Sequence, residues 1–471
     1  MKKPSTVEMD RQYIWHPFTP FDSWLSSQYD ILSITRAQGA YLYDQQGRAY
    51  LDGNSSIWTN IHGHQCVEIN RAIIRQLGKV AHSSFLGLTN ELAPLLAKNL
   101  VTQANRGDKN AFSKVIFSDD GSTAIEAAVK VVFQSHQLGK RAQRKKFICL
   151  GGGYHGDTVG AMSVGQSSLF HGAYGALLFP STSVQSPYCY RCPYNRAKSQ
   201  EADARLYRKC KWECIGDLKK KLRSVSGQLA GVVMEPLVQG AAGMIMHPEG
   251  YLSQAADLTR KQGGWLILDE VMTGFYRTGQ LFAHFHEDVR PDALALAKGL
   301  TGGYLPLATT LVTEELVAPF YGGVERTFYH GHSYSGNQLG CAAALANLKL
   351  LDKPSFSVNL QKRIAEMSDL SSRFWEHPFV GDVRQCGLIL GVELVRDRRT
   401  KEPFPWQDRI GWQVCEAARK FGLLTRPSGN VLILMPRLNV TCRELRSMIE
   451  ALEAALYDVF PNENKNMKPD K

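Results

Sequence analysis

Between about residues 110 and 310 short apolar runs alternate with longer stretches of helical period. Residues 115–117, 147–150, 231–234 and 265–268 are three or four mostly apolar positions bounded by turn-forming or charged ones, the pattern of strands buried on both faces. Residues 122–137 and 250–262 carry helical spacing between them. The alternation predicts an α/β fold: a large domain with a mostly parallel central sheet sandwiched by helices, plus a smaller α+β domain. Upstream, residues 41–52 alternate around Gly47 and predict a hairpin. Downstream, a helix over 341–351 leads to strands at 388–394 and 431–434 and helices at 409–420 and 443–460. The expected division is an arm and small-domain segment over 1–75, the large domain over 76–340, the C-terminal small domain over 341–460 and a disordered polar tail over 461–471.

Charge and cysteine content narrow the function classes. The net charge of +11 is spread along the chain with no nucleic-acid reading motif beside it, so it implies a basic surface suited to anionic small molecules. No apolar run approaches the roughly 20 residues needed to span a bilayer. Lys2 and Lys3 have no apolar stretch behind them to make a secretory signal, so a cytoplasmic enzyme is expected, without nucleic-acid or membrane partners. Among ten cysteines, Cys66, Cys149, Cys341, Cys386, Cys415 and Cys442 read as reduced structural thiols. Cys189 and Cys192, followed by Cys210 and Cys214, have knuckle-like spacing; zinc, an iron–sulfur centre, free thiols and a disulfide all stay open, and the chemistry below requires no metal.

The chemistry concentrates in Trp265-Leu-Ile-Leu-Asp-Glu and, after Pro291, in Ala293-Leu-Ala-Leu-Ala-Lys-Gly. The first run delivers Asp269 to the carboxyl end of a strand, the edge where α/β sheets bind ligands. The second delivers Lys298 into a glycine-rich turn. An amine and a carboxylate at neighbouring strand ends match what pyridoxal phosphate requires, one to condense with its aldehyde and the other to keep its ring nitrogen protonated. Ser118-Asp-Asp-Gly-Ser-Thr follows another strand and opens a helix, so Gly121, Ser122 and Thr123 are placed to offer N–H groups and hydroxyls to a phosphate. Gly151-Gly-Gly-Tyr-His-Gly156 fits a dinucleotide fingerprint in form, but no Asp or Glu occurs from Thr158 to Gln200 to hold a ribose, which excludes that site.

With these motifs the chain resembles the class III aminotransferases of the fold-type I pyridoxal-phosphate enzymes, over nearly its whole length and most specifically around Asp269–Gly303. The resemblance implies that Lys298 holds the coenzyme as a Schiff base and shuttles the proton, while Asp269 pairs with the ring nitrogen. Tyr154 would stack on the ring with His155 and Asp157 beside it, Gly121 and Ser122 would hold the phosphate, and Glu235 would lie near the cofactor. Residues 330–337 are similar to the segment that reaches the phosphate of the opposite subunit, through His332 and Ser333, which implies a homodimer with shared active sites.

Residues 14–19, 52–58, 154–164 and 425–427 are similar to the branch of that family that aminates 8-amino-7-oxononanoate in biotin synthesis. This implies Phe18, Trp58, Tyr154 and Gly331 at the substrate and Arg426 pairing with its carboxylate, a role suited to the guanidinium fork. Two positions depart from the better-known members, which have Tyr at Phe18 and Trp at Ile57. A subset with Phe and an aliphatic residue there uses lysine instead of S-adenosylmethionine, so the amino donor stays open between the two. An ornithine- or GABA-type ω-aminotransferase and a non-catalytic coenzyme-binding regulator are the alternatives.

Overall fold

The computed structural model describes residues 4–26, 30–106, 111–199 and 203–461; apart from Pro461, the tail expected to be disordered lies outside them. Seven strands form the central sheet in the order Phe112–Ser118, Ala308–Thr313, Ala293–Leu296, Trp265–Asp269, Leu229–Met234, Lys146–Leu150 and Thr182–Val184. Pairing is parallel from Ala293–Leu296 through to Thr182–Val184. Ala308–Thr313 is antiparallel to both its neighbours, so Phe112–Ser118, expected to join a parallel neighbour, instead pairs antiparallel at the edge. The Ala-Thr-Thr-Leu-Val-Thr run hides in the sequence because its threonines look solvent-facing. They are buried, and the Thr310 hydroxyl is satisfied by the Ala124 carbonyl at 2.7 Å.

Side-chain alternation along the strands builds two cores. Val233, Ile267, Ala293 and Ala295 pack against Ala124, Ile125, Ala128 and Val132 of the helix Gly121–Leu138. Val232, Met234, Leu266, Leu268, Leu294 and Leu296 face the larger cluster on the other side. Burying each such aliphatic side chain contributes roughly 1.5–3 kcal/mol, which is why residues 147–150, 231–234 and 265–268 read as continuous apolar runs.

The expected hairpin forms from Tyr41–Asp44 and Ala49–Asp52. Ile34–Gln38 adds to one side and Leu423–Leu424 to the other, so residues near both ends of the chain share one sheet. A second four-stranded sheet, Val380–Cys386, Ile389–Leu394, Val431–Leu434 and Pro427–Ser428, is antiparallel throughout. The helix Cys442–Val459 opens with a Thr441–Glu444 capping box. The helix expected over 409–420 is shorter, Ile410–Ala417, and tightens into a 3₁₀ turn at Ala418–Phe421. No helix among the described residues is long and apolar enough to cross a membrane.

Candidate active site

Asp269 closes the strand Trp265–Asp269, and Lys298 stands two residues beyond Ala293–Leu296. The two strands are parallel neighbours with Asp269 opposite Ala295. Both side chains therefore reach the same sheet edge and line one cavity of about 720 Å³, within the range of small-molecule sites. Lys298 has a positive φ of 41°, a conformation a long side chain adopts only under constraint. Burial lowers the pKa of its amine against the opposing pull of Asp269 and Glu235.

The Asp269 carboxylate is oriented from behind. His155 Nδ1 donates to Asp269 Oδ2 at 2.7 Å, and the Val271 N–H donates to Oδ1 at 3.0 Å. Burial disfavours charge on His155, but Asp269 outweighs it and raises the imidazole pKa. Each Asp269 oxygen keeps a further acceptor direction for a donor inside the cavity. The adjacent Glu270 serves the fold instead. It is fully buried and accepts from the Ala283 and His284 N–H groups and from His284 Nδ1. The Asp-Glu pair thus divides into one cavity-facing acid and one anchor for the loop beyond.

The helix Gly121–Leu138 presents its N-terminus to the cavity, where Gly121 and Ser122 line the wall. A Cβ on Gly121 would stand 2.6 Å from Val271 Cγ1, so only glycine lets the helix end approach the strand end that carries Asp269. Asp120, not Ser122, is the N-cap, and Thr123 is engaged in the capping box with it, not in the cavity. The Ser122 hydroxyl accepts the Thr158 N–H at 3.0 Å and lies 2.8 Å from the Thr158 hydroxyl, tying the helix end to the loop that carries Tyr154.

Tyr154 is half-buried in the cavity wall. Its hydroxyl donates to Asp157 at 2.8 Å, its ring stacks on His171, and burial raises the phenol pKa. Glu235 Oε1 accepts the Tyr154 N–H and Oε2 the Gly240 N–H; burial pushes this carboxyl up to about 7. It is both a buried structural acid and a cavity-lining one.

Opposite Lys298, the four non-glycine residues Ser55, Ser56, Ile57 and Trp58 all have φ between 45° and 69°. A left-handed turn of L-residues costs roughly 1–2 kcal/mol per residue. It is held by Asp52, which accepts from the Ser56 N–H and hydroxyl, by Ser55 on the Met435 carbonyl, and by Trp58 Nε1 on Asn54 Oδ1 at 2.8 Å. The turn sets the Trp58 ring 5.1 Å from Lys298 Nζ.

An amine, a facing carboxylate with open acceptor directions, an aromatic wall and a helix N-terminus are the donor set that pyridoxal phosphate needs, and these residues fit it. Lys298, Asp269, Tyr154, Glu235, Gly121, Ser122 and Trp58 meet in the cavity. Phe18 does not line it: it is exposed and touches Tyr154 only through Phe170, by two edge-on contacts of 5.5 and 5.6 Å. Arg426 lies outside the lining with its guanidinium 4.9 Å over the Trp412 ring. Gly331, His332 and Ser333 are exposed beside the mouth, where His332 Nδ1 stands 3.4 Å from the cavity-lining Asp119. Sequence reasoning missed Thr158, Met272 and residues 304–307 of the wall; only Tyr304 carried a signal, its place just after the glycine-rich turn.

The family model of class III aminotransferases matches residues 25–456. A protein of Geobacter sulfurreducens named adenosylmethionine-8-amino-7-oxononanoate aminotransferase is 44% identical over 454 residues, 96% of this chain and 97% of its own. The crystal structure of the protein of that name from Methanocaldococcus jannaschii superposes with a TM-score of 0.88 at 40% identity, covering 96% of this chain and 98% of that one. An amine transaminase from an uncultivated Pseudomonas species, solved in its PLP-bound form, reaches a TM-score of 0.86 at 32% identity over 95% of this chain and 99% of its own.

Proposed function

The chain belongs to the class III aminotransferases, and on that premise we propose that it uses pyridoxal phosphate to transfer an amino group to 8-amino-7-oxononanoate, giving 7,8-diaminononanoate in biotin synthesis. One observation carries this: Lys298 and Asp269 stand at the ends of adjacent parallel strands on one cavity, in a chain similar over nearly its full length to proteins named for that reaction. The proposal includes a cytoplasmic homodimer acting on small molecules, supported by the exposed Gly331, His332 and Ser333 beside the cavity mouth.

Lys298 would hold the aldehyde carbon of the coenzyme, Asp269 the ring nitrogen, Tyr154 one ring face, and the N-terminus at Gly121 and Ser122 the phosphate. When bound, pyridoxal phosphate supplies an electron sink for the charge left on the substrate carbon that loses its proton. Lys298 Nζ takes that proton and returns it, and its lowered pKa makes the neutral base accessible. His155 keeps the Asp269 carboxylate aimed into the cavity. Tyr154 and Trp58 narrow the space around the amine and exclude water. The reaction is ping-pong, the donor leaving as an oxo-acid before the keto acid enters. Adenosylmethionine stands in the names of the relatives; the resemblance of Phe18 and the aliphatic Ile57 to the lysine-using subset favours lysine as the second reading.

A half-reaction scan tests this. The coenzyme-loaded enzyme, mixed with S-adenosylmethionine or lysine separately, is expected to change absorbance with one of them. It should be restored by 8-amino-7-oxononanoate and not by the oxo-acids of ornithine or GABA. Conversion by neither donor refutes the assignment.

A further inference from the structure

The segment from Gln185 to Trp212 crosses the surface with no helix or strand assigned among its described residues beyond short turns. Its own buried core is small: Cys189, Tyr190 and Tyr207, with Tyr188 and Ala197 packed on them. A segment this long without regular structure is uncommon in a compact protein, and a unit this poor in apolar core generally needs a covalent or metal staple.

Four of the ten cysteines meet there. Cys189 and Cys192 belong to a tight turn closed by the Cys192 N–H on the Cys189 carbonyl. Cys210 precedes the helix Glu213–Ser224, and Cys214 lies in its first turn. Asn195 binds the two arms together, donating to the Cys189 and Tyr207 carbonyls and accepting the Lys209 N–H at 2.7 Å. All four cysteines are free and line one enclosed space of about 10 Å³, room for roughly one atom and not for a cluster. Among the described residues no three His, Cys, Asp or Glu side chains are already drawn together as a ligand set, so closing on an ion requires thiol rotation inward.

We propose that Cys189, Cys192, Cys210 and Cys214 form a tetrathiolate site for a single zinc-type divalent cation. Spacing of two and three residues within the pairs suits tetrahedral sulfur ligation. Binding forms four metal–sulfur bonds and releases four thiol protons to solvent, with no change of oxidation state. The resulting negative charge faces Arg208, whose Nη1 donates to the Cys210 sulfur at 3.8 Å, and Gln185 Nε2 donates to the Cys192 sulfur at 3.9 Å. The ion staples a strap that reaches the active site. Tyr188 and Arg191 from this segment both bind Glu393, Arg384 also binds Glu393, and Arg384 donates to the Gly243 and Met244 carbonyls. These belong to the turn whose Gly240 N–H holds Glu235.

Elemental analysis of the full-length, coenzyme-loaded protein is expected to find about one zinc per chain. The Cys192→Ser/Cys210→Ser double variant should lose at least about nine-tenths of it, given the dependence of affinity on ligand number. Should that variant fail to fold, titrating the intact wild-type protein with a mercurial beside a chromophoric chelator gives a second reading: zinc is expected to appear as about four thiols are modified per ion. The proposal is overturned if reduced protein neither contains zinc nor takes it up from added zinc chloride. It is equally overturned if the double variant keeps a full complement, if iron and sulfide are found instead, or if mass spectrometry shows a disulfide among the four.

Discussion

Lys298 and Asp269 enclose the reacting centre in this proposal, and each makes a separate demand. Removing the amine in Lys298→Ala should lower the single-turnover rate of the donor half-reaction by about 10²–10⁴-fold, the usual worth of a positioned acid–base group, while bound coenzyme stays detectable. A variant that turned over at the wild-type rate would contradict the role given to Lys298. Glu235 titrates in an informative direction. Burial, opposed by His155 and reinforced by Asp269, raises its carboxyl from 4.5 to about 7. Below 4.5 it is protonated folded and unfolded alike. From 4.5 to about 7 the unfolded chain ionises first, so the coenzyme-free protein loses stability through this group as pH rises, by on the order of 3 kcal/mol in full. Glu235→Gln loses one backbone hydrogen bond at every pH but removes the titration. Its Tm relative to wild type should therefore climb between about pH 5 and pH 7.5, as differential scanning fluorimetry would read; a flat difference would contradict the raised carboxyl. At this scale the sequence singled out Lys298, Asp269, Tyr154 and Glu235, and all four line one cavity. It could not place His155 against Asp269, because the contact spans 114 positions and depends on where two strands end.

Among the elements, the helix Gly121–Leu138 depends most on one residue. Adding a methyl at Gly121 meets the Val271 side chain at 2.6 Å, and the helix end must back away from the cavity. Gly121→Ala is expected to weaken coenzyme binding by about tenfold, the loss of roughly one charge-assisted hydrogen bond, and the added Val271→Ala should recover most of it. Equilibrium dialysis of coenzyme against the wild type and the two variants would measure this; no recovery in the double variant would mean the clash is not what matters. Strongly patterned elements, the buried strands and the two-stranded hairpin, were legible because their apolar spacing is local. Ala308–Thr313 was not, since buried threonines look polar until their partners are known. Neither was Pro354–Ser371, an 18-residue helix that buries only Leu360, Met367, Leu370 and Ser371 and so shows little contrast between its faces. The left-handed turn at Ser55–Trp58 had no signal at all, because nothing about Ser-Ser-Ile-Trp favours positive φ.

For the whole molecule, shared active sites make a prediction that a self-contained monomer would not. If His332 and Ser333 serve the opposite subunit, Lys298→Ala and His332→Ala/Ser333→Ala chains complement each other. Mixed by dissociation and reassociation, statistical dimers should regain about a quarter of the wild-type sites, seen as returning half-reaction amplitude. No gain above the separate variants would place every site within one chain. The sequence by itself determined the α/β class, the strand ends bearing the amine and the acid, and the glycine-led helix that follows an apolar strand, since each follows from spacing within a few residues. Only the tertiary structure decided that Thr158 ties the Tyr154 loop to that helix and that Trp58 faces the Lys298 amine. It also placed four distant cysteines around one atom-sized space and left Phe18 and Arg426 off the cavity wall. Those outcomes depend on how separately formed elements pack, a choice made by long-range burial and hydrogen-bond satisfaction that no local pattern encodes.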